Sequence, residues 1–313
     1  MASVKIIHAA GELKSGRKTV CLAMGFFDGV HLGHQQLIRR TVSDARQNDG
    51  VAVVLTFDRH PNNVVAPARV PPLIYSLPQK LRAIACLGPQ VLFLIRFDKA
   101  FSMQSGAEFI ENLVRDFGRV QTICVGADFV FGHRRSGNVA LLERLGARLD
   151  FRVHGLAAVS LDGQMVSSTR IREAIRRGHF DAASQMLGRP YTISGRVLHG
   201  DKIGRDLGFP TANLDVKGLV LPPKGVYAAS TVIKGRAYRV GLNIGSRPTI
   251  AAASEIRVEA HVLGYSGDLY DAELEVEPGE KVRDERQFDS IIGLKAQISK
   301  DIAAIEKPGK PHC

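Results

Sequence analysis

The chain has 313 residues, 45% hydrophobic and 23% charged, enough for two water-soluble domains with separate cores. Its apolar runs fall short of the roughly 18 residues a membrane helix needs, and Val4-Lys5-Ile6-Ile7-His8 is no secretory leader, so a cytoplasmic protein without membrane contact is expected. Of the net charge of +11, most sits in the first 186 residues (24 Lys+Arg against 15 Asp+Glu, then 18 against 16); without a zinc finger, an RNP-type strand, a lysine run or any tryptophan, this suits polyanionic nucleotides and argues against nucleic acid.

Val20 to Met24 is an apolar run of strand length, and Gly25-Phe26-Phe27-Asp28-Gly29-Val30-His31-Leu32-Gly33-His34 follows it. A glycine-punctuated turn between a strand and a helix start places free backbone N–H groups and the positive helix end before an anion. His31 and His34 add two imidazole donors, and Gly33 lets a phosphate chain approach the backbone, which suits nucleotidyl transfer. A plain turn with two exposed histidines is the competing reading.

Further strand-like runs are Val51 to Phe57, Val91 to Phe97 and Gln121 to Gly126, and helical spacing recurs in Gln35 to Asn48, Leu77 to Leu87 and Ser105 to Phe117. This alternation predicts a Rossmann-like α/β domain, a parallel sheet with ligands at the carboxyl ends of its strands. Two more strand ends carry polar clusters, Asp58 to Asn63 and Asp128 to Asn138, which read as capped loops alone and as a shared site together. The four cysteines, Cys21, Cys86, Cys124 and Cys313, are far apart and form no Cys-x-x-Cys pair, so neither zinc nor disulfides are expected. Ser167-Ser168-Thr169-Arg170-Ile171-Arg172 opens a helix whose hydroxyls, amides and arginines form a second phosphate site; arginines there oppose the helix dipole, which a bound anion would explain. A plain capped helix is the alternative.

The pattern changes after Met186, giving expected domains 1–186 and 187–313. Tyr191 to Leu198, Gly225 to Ile233, Tyr238 to Ile244, Glu255 to Leu263 and Asp271 to Val276 predict a small antiparallel barrel or sandwich, closed by a helix over Asp289 to Ile305. Within it, the glycine-rich loop from Gly200, with Gly204 and Arg205, ends in Pro210-Thr211-Ala212-Asn213. Thr211 and Asn213 suit a Mg²⁺ that carries ATP phosphates. No P-loop motif occurs. Glu259 and His261 share one strand face by the two-residue period, and Glu259 could accept a hydroxyl proton or be an ordinary strand carboxylate.

These motifs in this order resemble the bacterial bifunctional riboflavin kinase/FMN adenylyltransferase family, also called prokaryotic FAD synthetase. The matching pieces are Gly25-x-Phe27-Asp28-Gly29-Val30-His31-x-Gly33-His34, Val125-Gly126-x-Asp128-Phe129-x-Phe131-Gly132, Ser167-Ser168-Thr169-x-Ile171-Arg172 and Gly204-Arg205-x-Leu207-Gly208-Phe209-Pro210-Thr211-Ala212-Asn213. Gly225-Val226-Tyr227, Asn243-Ile244-Gly245-x-Arg247-Pro248-Thr249, Val258-Glu259-x-His261 and Arg283-x-Glu285 follow.

The resemblance implies a C-terminal β-barrel riboflavin kinase with Glu259 as general base and Mg²⁺ on Thr211 and Asn213. It implies an N-terminal domain that transfers AMP from ATP to FMN, giving FAD and pyrophosphate. There His31 and His34 stabilise the phosphates, with Gly25, Asp28, Gly33, Ser167, Ser168, Thr169 and Arg172 around them; Gly204 and Arg205 would serve ATP in the kinase. His60, Pro61, Asp128 and Phe131 would lie at the flavin, Asp128 also near metal and ATP. The substrates are small molecules, and a weak homo-oligomer is compatible with the sequence. Arg59 stands where the family commonly has Pro, Val64 and Val65 near where it often has an aromatic residue, and Phe26, often small or polar in relatives, reads as tolerated variation. An enzyme with one live activity, another His-x-Gly-His nucleotidyltransferase and a binding regulator on a retired enzyme fold are the remaining alternatives.

Overall fold

A computed structural model of the chain describes residues 4–13, 18–199, 208–247 and 255–306. They divide into two compact units, one running to Pro72 and then over Leu77–Ser168, the other comprising Leu73–Ser76 and the chain from Thr169 onward. Gly204 and Arg205 lie outside the described residues. Among the described residues no helix is long and apolar enough to cross a membrane.

The first unit runs β1 (Lys5–Ile7), β2 (Val20–Met24), α1 (Leu32–Gln47), β3 (Val51–Phe57), α2 (Asn62–Val65), α3 (Leu77–Ala85), β4 (Val91–Ile95), α4 (Lys99–Ser102), α5 (Gly106–Phe117), β5 (Val120–Gly126), α6 (Val139–Leu149) and β6 (Arg152–Leu156). A short hairpin, β7 (Ser160–Leu161) with β8 (Gln164–Met165), follows. Strands β1 to β6 form one sheet in the order β1-β4-β3-β2-β5-β6, every pairing parallel. All five residues of β2 are buried, because the sheet is covered on both faces. Val20, Leu22 and Met24 pack with Leu55, Phe93, Ile110 and Leu142 on one side, while Ala23 joins Val54, Leu92, Ile38 and Ile84 on the other. Each fully buried Leu, Ile or Phe contributes about 1.5–3 kcal/mol, so the core fixes the strand ends on which the loops stand.

The second unit contains the rest of α7 (Ser168–Arg176), α8 (Phe180–Leu187) and a closed six-stranded barrel. Its strands are β9 (Ile193–Leu198), β10 (Ala212–Leu214), β11 (Gly225–Ile233), β12 (Arg236–Arg247), β13 (Glu255–Val262) and β14 (Glu273–Arg283), in the order β10-β13-β12-β11-β14-β9. The open choice between barrel and sandwich is settled by β9, which pairs with both β10 and β14 and so closes the sheet. Helix α9 (Ile291–Glu306) follows the last strand. Leu73 belongs here too: its N–H donates to Gly218 O and its carbonyl accepts from Val220 N–H, both at 2.8 Å. Residues 169–186, which the sequence reading groups with the first domain, pack with the second unit.

Candidate active sites

In the first unit, the loops after β2, β3 and β5 leave neighbouring strands at one carboxyl edge of the sheet. The loop after β2 is bent by three left-handed residues, Phe27 (φ 56°), Gly29 (φ 75°) and Val30 (φ 44°). A β-branched residue in that region is strained, and such strain persists where surroundings over-determine it. Phe27 and Val30 are buried in the core, the Val30 N–H donates to Phe27 O at 3.1 Å, and the Gln35 side chain donates to Val30 O at 3.0 Å.

His31 is the N-cap residue of α1, with extended backbone, and its carbonyl accepts the Gln35 N–H at 2.9 Å. His34 lies within the first turn. The two rings stack at 3.6 Å between centroids, tilted by 22°, and the Phe27 ring meets His34 edge-on at 5.2 Å. His31 is only 7% exposed, which rules out a turn with two solvent-facing histidines. A Cβ on Gly33 would sit 3.3 Å from His31 Cε1 and 3.4 Å from its Nδ1, so glycine is what leaves the ring its place. A Cβ on Gly25 would come within 2.8 Å of the Phe27 ring. Asp28 is buried, and its backbone carbonyl accepts the Ser168 hydroxyl at 3.1 Å, which joins the start of α7 to the histidine loop. Ser167 precedes that helix half-buried, and of the residues beyond Ser168, Thr169 is exposed and Arg172 buried.

After β3, Asp58 accepts the Phe97 N–H at 3.0 Å and two hydrogen bonds from Arg59, at 2.8 and 3.1 Å. Burial acts to raise its carboxyl, but the Arg59 and Phe97 hydrogen bonds outweigh it and hold the group below the usual carboxylate range. Arg59 thus serves its neighbour. The bond from Phe97 also explains why β4 stops at Ile95, two residues short of the expected end. His60 Nδ1 accepts the Asn62 N–H at 3.0 Å, and its ring meets that of Phe26 edge-on at 4.8 Å. Pro61 is the N-cap of α2. After β5, Asp128 is exposed, whereas the Phe131 ring stacks on Phe129 at 5.3 Å and packs against the core.

The second unit builds its constellation by the two-residue period. In β13, Val258, Ala260 and Val262 are buried, and the half-buried Glu259 and His261 lie on the other face. In β10, Ala212 and Leu214 are buried, which turns Thr211 and Asn213 the opposite way. Register puts Asn213 and Asn243 on either side of Glu259, and Asn243 Nδ2 donates to Glu259 Oε2 at 3.5 Å. His261 Nδ1 donates to Pro210 O at 2.7 Å and so anchors the turn that precedes Thr211.

Two cavities meet at this sheet. One, of about 330 Å³, is lined by Thr211, Asn213, Asn243, Glu259, Arg283 and the inner side of α9. The other, of about 410 Å³, has an apolar floor of Val197, Ala212, Ala260 and Val262 with Tyr265 and Tyr270 at its wall. Thr211 lines both. A hydroxyl, two amides and a carboxylate supply only oxygen and neutral nitrogen groups, and their oxygens suit a hard cation such as Mg²⁺. Arg283 is held to the buried Asp301 of α9 by Nε at 2.9 and 3.1 Å and a second nitrogen at 2.9 Å. Sequence reading missed Asn243 as a neighbour of Glu259, the Arg283–Asp301 pair, the second cavity and the buried Lys80; register, available only once strands are paired, would have found the first.

A family model described as FAD synthetase matches residues 13–170, and one described as riboflavin kinase matches residues 187–308. The bifunctional riboflavin kinase/FMN adenylyltransferase of Escherichia coli (strain K12) is 36% identical over 300 residues, covering 95% of this chain and 96% of its own. The protein of the same description from Pseudomonas fluorescens is 35% identical over 308 residues, covering 98% and 99%. A solved structure described as macrolide-efflux protein from Streptococcus pneumoniae superposes with a TM-score of 0.80 at 28% identity, covering 98% of this chain and 99% of that one.

Proposed function

Because the chain belongs to the bifunctional riboflavin kinase/FMN adenylyltransferase family, we propose a division of its two steps between the constellations around His31 and Glu259. The enzyme phosphorylates riboflavin to FMN and adenylylates FMN to FAD, with ATP in both steps. The residue roles, the metal and the domain limits 1–186 and 187–313 are our assignments.

In the adenylyl transfer, an FMN phosphate oxygen attacks the α-phosphorus of ATP, the bond to the β-phosphate breaks, and pyrophosphate leaves. Charge builds on the α- and β-phosphate oxygens. His31, His34 and the N-terminus of α1 face that charge as preorganised donors, the kind of stabilisation that strengthens as the transition state forms. Gly25 and Gly33 leave room for the Phe27 and His31 rings that shape the phosphate side, and Asp28 holds Ser168 in place through its carbonyl. Ser167, Ser168, Thr169 and Arg172 would also bind the phosphate chain. His60, Pro61, Asp128 and Phe131 would line the flavin.

In the kinase, riboflavin would occupy the cavity that contains Glu259, and ATP the one with Tyr265 and Tyr270. Thr211 lines both, so the transferred phosphoryl group would pass beside its hydroxyl. Glu259 would accept the proton of the ribityl 5′-hydroxyl as its oxygen attacks the γ-phosphorus, with Asn243 steadying the carboxylate. Thr211 and Asn213 would hold Mg²⁺, which when bound neutralises the ATP phosphates. His261 keeps Thr211 in place through Pro210.

The observation that carries this reading is that the turn with His31 and His34 and the cluster around Glu259 lie in different compact units, each with its own core. The test is to incubate the protein with riboflavin, ATP and Mg²⁺ and separate the flavins: FMN followed by FAD is expected, and FMN that accumulates without FAD would contradict it.

A further inference from the structure

We propose that Lys80 is a positioning residue of adenylyl transfer, its ammonium fixing the spacing between the loop that carries His31 and His34 and the loop that carries His60 and Pro61. The proposal rests on the assignment of those loops to the ATP and flavin sides of the site.

Lysine is almost never fully buried without partners, yet Lys80, in the middle of α3, is 4% exposed. Its Nζ donates to Phe57 O at 2.8 Å and to Phe26 O at 3.3 Å. Phe57 is the last residue of β3, and Phe26 lies two residues beyond β2. One cation therefore ties together the two chain segments that leave the sheet toward the site. The Phe26 carbonyl is shared with the Thr56 hydroxyl at 3.0 Å, a second tie between the same segments.

The ammonium also lies 4.4 Å from the centroid of the Phe26 ring, over its face, and the same ring meets His60 edge-on at 4.8 Å. Lys80, Phe26 and His60 form a continuous stack from α3 to the flavin-side loop. Phe26 thus has a use that tolerated variation at that position would not provide. A cation over an aromatic face gains most where water is excluded, as here.

The acidic side chains that face Lys80 are Asp28, from the loop after β2, and Asp58, from the loop after β3. Asp58 is already engaged by Arg59. Burial pulls the Lys80 ammonium down to about 8 in spite of both carboxylates, so at neutral pH the protein holds a charge its interior disfavours. An apolar side chain would suit stability better. The groups this charge restrains belong to the loops of the site, which favours a role in activity.

The experiment compares full-length wild type with K80M and K80R, following FAD formation from FMN and FMN formation from riboflavin between about pH 6 and about pH 10. Wild-type FAD formation should fall along an alkaline limb near pH 8 that FMN formation lacks. K80M should form FAD at least about 10-fold more slowly, with raised KM for FMN, no such limb and unchanged kinase constants. K80R should regain part of the rate without the limb, because guanidinium stays charged throughout. If arginine does not fit, and K80R loses both steps, K80M decides. Wild-type FAD rates and pH profile in K80M, or an unchanged limb in an active K80R, would overturn the proposal. H31A in the same assay separates the premises: if it forms FAD normally, the site assignment itself fails, whereas an inactive H31A beside a normal K80M refutes only the role of Lys80.

Discussion

Replacing Gly33 by alanine should separate activity from stability. Gly33 is the second residue of α1, where alanine is favoured over glycine by roughly 0.5–1 kcal/mol. Its added methyl would stand 3.3 Å from His31 Cε1 and 3.4 Å from Nδ1. Carbon contacts are most comfortable at about 3.5–4.0 Å, so the ring must yield by a few tenths of an ångström. That movement runs against the His34 ring stacked 3.6 Å away. Complete loss of one donor to a developing oxyanion costs about 2.7–4 kcal/mol, and partial displacement should cost about half, near 10-fold in rate. The expected outcome is FAD formation slowed about 10-fold, unfolding of the first domain unchanged or up to about 1 kcal/mol more stable, and FMN formation untouched. Turnover of FMN and ATP, with denaturant unfolding of the same preparation, checks all three. A G33A protein with full FAD activity would refute the argument that glycine makes room for His31.

Removing the hydroxyl of Ser168 in S168A breaks its bond to Asp28 O, worth about 0.5–1.5 kcal/mol, so FAD formation should fall several-fold without change in FMN formation; equal rates in a flavin separation would count against α7 as part of the site. D301A leaves the Arg283 guanidinium half-enclosed without its carboxylate, and a loss of about 3–5 kcal/mol in unfolding of the kinase domain is expected, with reduced FMN formation. A shift below about 1 kcal/mol would show that the Arg283–Asp301 pair does not hold α9 in place. Lys80 also makes a prediction about stability against pH. A lysine lowered on folding costs stability in full below its folded value, and that cost disappears as pH rises from about 8 toward the ordinary 10.5, since the unfolded chain then holds the extra proton. The melting temperature of wild type should therefore rise relative to K80M across that window; a constant difference would mean that Lys80 titrates normally.

Much of this architecture was readable because periodicity and burial coincide. β2 and β3 appear with the expected limits, since both are apolar runs covered on two faces, and Glu259 and His261 share a face as the two-residue period requires. The unread elements are those whose residues look polar or too few. β1 has three residues, and β6, at the other edge of the sheet, is half-exposed with Arg152 and His154 in it. α6 did carry a signal: Asn138 caps it by accepting the Leu141 N–H at 2.9 Å, and Leu142 and Leu145 recur at helical spacing. β10 hides behind Pro210, and only its pairing with β9 and β13 makes it a strand. Among candidate site residues, the histidine turn and the Thr211 turn could be found because glycine, proline and chemistry coincide in a few adjacent positions. Lys80 could not. On a helix it reads as one more solvated charge, and its meaning depends on two carbonyls 23 and 54 residues away.

Two separable sites are tested most directly by following flavins in E259Q and in an H31A/H34A double variant, each given riboflavin with ATP and Mg²⁺, and separately FMN with ATP and Mg²⁺. E259Q should form no FMN from riboflavin yet convert supplied FMN to FAD at the wild-type rate, while H31A/H34A should accumulate FMN and stop there. Loss of both steps in either variant would contradict two separate sites.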